Sequence, residues 1–235
     1  MRLGPSGPIP AAVRALIIAN VAVYVLQVVV GRGLIDAFAL VPAEVGHFEL
    51  WRLVTYQFLH GGVWHLALNM LMLWMFGSEL EQRWGERFFL KYYFVCGIGG
   101  GLLFTLVRWA TFVPSVGASG AIYGILMAYG MWFPNRELYV FLLFPVKAKH
   151  LVLFFMALEF LQTLESSGTG IAHAAHLGGM LFGYAYLRWW GVSGFAIPKR
   201  RDLELAWRRW RLRRLQRKHF GPKGGGPGDR GPTVH

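Results

Sequence analysis

Three groups of polar side chains interrupt the apolar stretches of this 235-residue chain, and each is costly in lipid unless it faces water or a polar partner. The segment HGGVWHLALNML carries His65 and Asn69 four residues apart, on one helical face and one turn from each other. VGASGAIYG sets Ser119 at the start of a helix, flanked by Gly117 and Gly120, with Tyr123 four residues on. AHAAHLGGMLFG supplies His173 and His176, followed by Gly179 and Gly183. A serine hydroxyl becomes a useful nucleophile when a neighbouring base accepts its proton, and His176 is the candidate base, later the acid for a leaving amine. Ser119 sits where backbone N–H groups lack intrahelical partners and the helix dipole favours negative charge, so an oxyanion can form there, with His65 and Asn69 as further donors. No Asp or Glu lies near either histidine along the chain. The pattern therefore predicts a Ser–His dyad rather than a triad, with Tyr123 packing on the imidazole in place of a carboxylate.

Taken singly, each motif has a plainer reading. Gly-x-Ser-Gly is common where membrane helices touch, and a lone intramembrane histidine is commonly structural. His60, His65, His173 and His176 together suggest a metal site, but no H-E-x-x-H occurs and no carboxylate accompanies them. No metal or other cofactor is expected. The conjunction of three motifs is more specific than any part.

The elements that must position these residues are apolar. Hydrophobic residues make up 55% of the chain and charged ones only 15%, against about 25% in a typical soluble domain. With 24 Lys+Arg and 12 Asp+Glu the net charge is +12, yet a soluble nucleic-acid binder would spread such charge over a polar surface that this sequence lacks. One cysteine, Cys96, excludes an intramolecular disulfide framework. Ala11 to Val30 is long enough to cross the hydrocarbon core and lacks a small-x-small cleavage site, so it reads as a retained span and not a signal peptide. Further spans are expected from Val63 to Phe76, Arg87 to Val107, Ala118 to Phe133, His150 to Leu164 and Ala172 to Trp190. The fifth contains Glu159 and follows a short apolar run, Val140 to Phe144, that ends at Pro145. The expected organisation is a cytoplasmic N-terminus (1–10), a six-helix membrane domain (11–192) and a basic tail (193–235).

Six spans put both termini on one side, and charge says which. With the N-terminus inside, cytoplasmic segments hold 21 Lys/Arg and outer loops only Arg32, Arg52 and Arg108. Spans two, four and six then enter from outside, so His65, Ser119 and His176 share one depth near the outer face. The outer segment Gly31 to Gly62, with Trp51, Tyr56 and Phe58, suits a structured loop in the membrane interface. The small-xxx-small pairs Gly120/Gly124 and Gly179/Gly183 would let helices four and six approach closely. The tail carries twelve Lys/Arg, ten of them with Trp and Leu residues between Lys199 and His219, before a Gly/Pro-rich end. It is expected to lie on anionic lipid headgroups, and no nucleic-acid partner is expected.

These residues resemble the rhomboid family of intramembrane serine proteases. The resemblance runs from Asn20 to Tyr184 and rests on Trp51-Arg52, His60, His65-x-x-x-Asn69, Glu81-x-Arg83 with Gly85, Gly117-x-Ser119-Gly120 and Ala175-His176-x-x-Gly179-x-x-x-Gly183. It implies an all-α membrane protein, a six-transmembrane-helix bundle with an interfacial first outer loop. It also implies a Ser119/His176 dyad, an oxyanion site from His65, Asn69 and the Ser119 backbone, and transmembrane protein substrates. Trp51, Arg52, Glu81 and Arg83 would brace the loop and the end of helix two, His60 would be a structural hydrogen-bonding residue, and His173 would be structural. An inactive relative that binds membrane proteins would be expected to lack the serine or the histidine, and both are present; a transporter using the same polar residues is the other alternative. The composition suggests a bacterial inner membrane.

Overall fold

The computed structural model describes residues 7–140, 144–165 and 173–192. The basic tail expected at 193–235 lies outside the described residues. Helix α1 spans Ala11–Val30, with Pro10 at its N-cap and Gly31 ending it. Short helices α2 (Arg32–Phe38), α3 (Pro42–Gly46) and α4 (Arg52–Thr55), then a single 3₁₀ turn at Tyr56–Phe58, make up the expected outer loop. Helix α5 (Val63–Met72) continues through a π turn (Leu73–Gly77) into α6 (Ser78–Trp84). Gly85, at φ +81°, a conformation other residues rarely adopt, reverses the chain at once into α7 (Glu86–Val107). Helix α8 (Ser119–Trp132) precedes strands β1 (Glu137–Val140) and β2 (Phe144–Lys147), then come α9 (Ala148–Glu165) and α10 (His173–Trp189).

The six apolar stretches thus coincide with six helical segments within a few residues. Two of them, α1 and α7, are long and apolar enough to cross a membrane by length and composition. The expectation of purely helical structure needs one correction. The segments on either side of the short apolar run pair as antiparallel strands, Glu137 with Lys147 and Leu138 with Val146, and residues 141–143 between them lie outside the described residues. Pro134 closes α8, and the alternation of apolar and polar residues in Glu137–Val140 has the period of a strand.

Helices α7, α8 and α10 pack together around a core that includes Tyr92, Cys96, Ile125, Met127 and Met180, all buried. At one end the helix termini are tied by polar contacts. The Glu81 carboxylate accepts the Ala12 and Val13 N–H groups, 2.8 Å each, and so caps α1 from α6. Arg83 lies over the Trp132 and Phe133 rings at the end of α8, 5.2 Å from each centroid.

At the opposite end the outer loop is fixed by Arg52, whose guanidinium donates to the Asp36 and Ala39 carbonyls (2.9 and 2.8 Å) and pairs with Glu49. Trp51 Nε1 donates to the Ala37 carbonyl at 3.3 Å. Loop and bundle are then joined to the segment before α8. Leu40 and Ser115 exchange backbone hydrogen bonds of 3.0 and 2.8 Å, and Gly117 N–H donates to the Tyr56 carbonyl at 2.9 Å. Phe48, Leu50, Trp51, Trp109 and Phe112 remain exposed at this end.

Candidate active site

The approach to α8 determines where Ser119 sits. Gly117 has φ +127°, and a Cβ there would lie 2.8 Å from His65 Cε1, so a side chain would meet both backbone strain and the imidazole. The turn that follows starts α8 at Ser119 with no side-chain cap on its first N–H groups. Those donors remain available to an anion.

His176, in the first turn of α10, places Nε2 2.8 Å from Ser119 Oγ. Two features allow this approach. A Cβ on Gly179 would fall 1.9 Å from the Gly120 carbonyl oxygen, so the α8 and α10 backbones are in direct contact. The Tyr123 ring also stacks on the His176 imidazole, centroids 4.3 Å apart and planes 7° from parallel. The second small-residue pair is less selective than expected: Gly124 faces Cys96 as well as the Gly179 carbonyl, and Gly183 faces Tyr92 and Cys96 of α7. Glycines in both helices therefore also seat α7.

His65 Nδ1 accepts the Gly61 N–H at 3.3 Å, which leaves the proton of the neutral ring on Nε2, the nitrogen nearest the Gly117 turn. Asn69 is buried one turn further in, and its Nδ2 has no hydrogen-bond partner among the described residues. An uncommitted buried donor of this kind is one that an oxyanion could satisfy.

At His60 the hydrogen bonds to α1 are made by the backbone and not by the ring. Neither ring nitrogen has an aligned hydrogen-bond partner among the described residues, and the ring instead packs edge-on against His65, centroids 5.1 Å apart. The hydrogen bonding at this position is backbone: His60 N–H donates to Gln27 Oε1 (3.0 Å) and its carbonyl accepts from Gln27 Nε2 (2.7 Å), tying the loop to α1. Burial, and next the His65 ring, push the His60 imidazole down to about 4.

The carboxylate is where the structure adds to the sequence reading. The fold brings Glu159, from the middle of α9, to both histidines of α10: Oε2 lies 2.7 Å from His173 Nδ1 and Oε1 3.1 Å from His176 Nδ1. The reading of a histidine pair with no acid nearby missed it because Glu159 is separated from His173 by the α9–α10 connection. An ionisable residue in an apolar span was the available signal. The three side chains offer ligand atoms within 4.8 Å of one another, so a metal ion has a seat available at Glu159, His173 and His176, a group that includes neither His60 nor His65.

A Rhomboid domain profile matches residues 47–191. Rhomboid protein 1, mitochondrial, of Saccharomyces cerevisiae is 35% identical over 159 residues, 63% of this chain and 43% of that protein. Rhomboid protease GluP of Bacillus subtilis is 35% identical over 159 residues, 64% of this chain and 27% of its own length. Rhomboid-like protease 3 of Toxoplasma gondii is 30% identical over 197 residues, 77% of this chain and 70% of its own. The chain thus spans less than half of the yeast and Bacillus relatives. Mitochondrial relatives stand beside a bacterial one, so the similarities give no support to a bacterial inner membrane in particular. The profile covers more than half of the 235 residues, and the chain belongs to the rhomboid family, whose members are embedded in membranes.

Proposed function

We propose that this protein is an intramembrane serine endopeptidase that hydrolyses peptide bonds in or near transmembrane segments of other membrane proteins. The observation that carries the reading is the 2.8 Å approach of His176 Nε2 to Ser119 Oγ at the N-terminus of α8. Ser119 Oγ attacks the scissile carbonyl carbon as its proton passes to His176 Nε2. The carbonyl oxygen becomes an oxyanion, met by the N–H groups opening α8, by His65 Nε2–H and by Asn69 Nδ2–H. His176 returns the proton to the leaving amine, the C–N bond breaks, and water repeats the sequence on the acyl-enzyme. Tyr123 keeps the imidazole facing Ser119 throughout.

In this reading α1, α5 with α6, α7, α8, α9 and α10 cross the bilayer. Both termini lie on the cytoplasmic side, where Lys and Arg concentrate, and Ser119 lies near the opposite face. The basic tail lies on anionic headgroups. A helical substrate hides its carbonyls in i to i−4 hydrogen bonds, so the substrates are spans with Gly, Pro or polar residues that unwind near that face. The test is labelling by a fluorophosphonate together with cleavage of a transmembrane substrate in proteoliposomes. Wild type should do both, and Ser119→Ala and His176→Ala neither; full cleavage by either variant overturns the reading.

A further inference from the structure

The reaction above makes no use of Glu159, yet this residue is a buried carboxylate in an apolar helix. It stands in the middle of α9 with its side chain only 5% exposed, and a buried carboxylate is tolerated when paired and hydrogen-bonded. Its partners are the two α10 histidines, and the Tyr123 phenol interacts with it as well. Tyr123 is the residue stacked on His176. The described partners of the carboxylate are thus the proposed base, a histidine one turn before it and the tyrosine stacked on it.

The geometry points to Glu159 as a positioning residue that makes the proposed dyad a triad, Ser119–His176–Glu159, with His173 holding the carboxylate in place. The inference rests on the Ser119/His176 reading. For Nε2 to accept the serine proton, the neutral His176 ring must carry its own proton on Nδ1. The Nδ1 atom is buried, and the acceptor beside it is Glu159 Oε1, 3.1 Å away. The contact is short but not aligned as a hydrogen bond in the resting structure, as is common before a substrate tightens a site. The opposite oxygen, Oε2, is held at 2.7 Å by His173 Nδ1, which fixes the carboxylate plane from one turn earlier on the same helix. When Ser119 Oγ bonds to the substrate carbon, its proton moves to Nε2 and the ring becomes an imidazolium. Glu159 stays ionised and opposes that charge across Nδ1–H without taking the proton. When the C–N bond breaks, the proton leaves Nε2 for the amine, and Nδ1–H remains facing Oε1.

A plainer role for Glu159, a tie between α9 and α10 through His173 alone, makes different predictions. The full chain in proteoliposomes is assayed as wild type, Glu159→Gln, Glu159→Asp, Ser119→Ala and His176→Ala, with melting temperature recorded for each. In the triad, Glu159→Gln keeps the shape and loses the charge, so kcat falls about 10²- to 10⁴-fold and fluorophosphonate labelling slows in parallel. KM and melting stay near wild type, and Glu159→Asp recovers part of the rate. Folded Glu159→Gln with wild-type kcat, beside inactive Ser119→Ala and His176→Ala, overturns the triad and leaves the dyad standing. Active Ser119→Ala or His176→Ala overturns both readings. Should Glu159→Gln fail to fold, imidazole ¹⁵N shifts of the wild type decide: His176 protonated on Nδ1 supports the triad, and protonated on Nε2 overturns it. Metal analysis of the same preparation is the last arm. A stoichiometric metal lost in Glu159→Gln, with activity abolished by chelation, makes the carboxylate a ligand and overturns its orienting role.

Discussion

A Cβ placed on Gly179 would lie 1.9 Å from the carbonyl oxygen of Gly120, one residue beyond Ser119. That contact is between two backbones, so neither side can yield by rotating a side chain. Gly179→Ala must push α10 from α8, and the 2.8 Å separation of His176 Nε2 and Ser119 Oγ opens with it. Overpacking of this kind costs about 1–3 kcal/mol or more. The expected result is a lower melting temperature together with slower fluorophosphonate labelling. Gly33→Ala, where a Cβ meets nothing within 4 Å, should change neither.

Asn69 offers a buried Nδ2 with no hydrogen-bond partner among the described residues. If that donor is reserved for an oxyanion, Asn69→Ala removes an interaction made only in the transition state. We expect kcat to fall by about 10²–10³, or about 2.7–4 kcal/mol, with KM little changed. Removing an unsatisfied buried donor should not by itself lower the melting temperature. A variant with unchanged kcat would take Asn69 out of the reaction.

Glu81 works at the other end of the molecule, where its two oxygens accept the Ala12 and Val13 N–H groups at 2.8 Å each. Glu81→Gln turns one acceptor into a donor facing an N–H and removes the charge from the other bond. The expected loss is about 1–3 kcal/mol of stability, read as a lower melting temperature in detergent. Since Glu81 sits far along the helices from Ser119, turnover per folded molecule should stay at the wild-type level. Loss of turnover without loss of stability would contradict a purely structural role.

The residues legible in the sequence are those whose partners lie within one helical turn or follow from helix direction. His65 with Asn69, and Ser119 with Tyr123, are four residues apart, and spacing alone sets each pair on one face. The meeting of Ser119 with His176 followed from counting apolar spans, because alternate helices start at the same end. Glu159 escaped that logic. It lies in the middle of a helix, and only its rotation about the α9 axis, set by packing that no local pattern encodes, turns it toward α10. Which atoms of His60 bond was not legible either: its backbone is tied to Gln27, 33 residues away. The pairing of Glu137–Val140 with Phe144–Lys147 was hidden because a short apolar run ending at a proline suits a strand as well as a broken span.

His60 gives the fold a predictable response to acid. Its imidazole is fully buried, and burial and then His65 lower it from 6.5 in the open chain to about 4 in the folded one. Between those values the unfolded chain binds the proton and the folded chain does not, so stability rises with pH across that window. The contribution is complete above pH 6.5 and is lost progressively as pH falls to about 4; the shift corresponds to a loss on the order of 3 kcal/mol. Melting temperature in detergent should therefore decline from pH 7 to pH 4 in the wild type. His60→Gln, which cannot take up a proton there, should show a shallower decline. Equal slopes for the two proteins would mean that the His60 ring is solvated in the native state and that the Gln27 backbone contacts, not the buried imidazole, are what this position contributes.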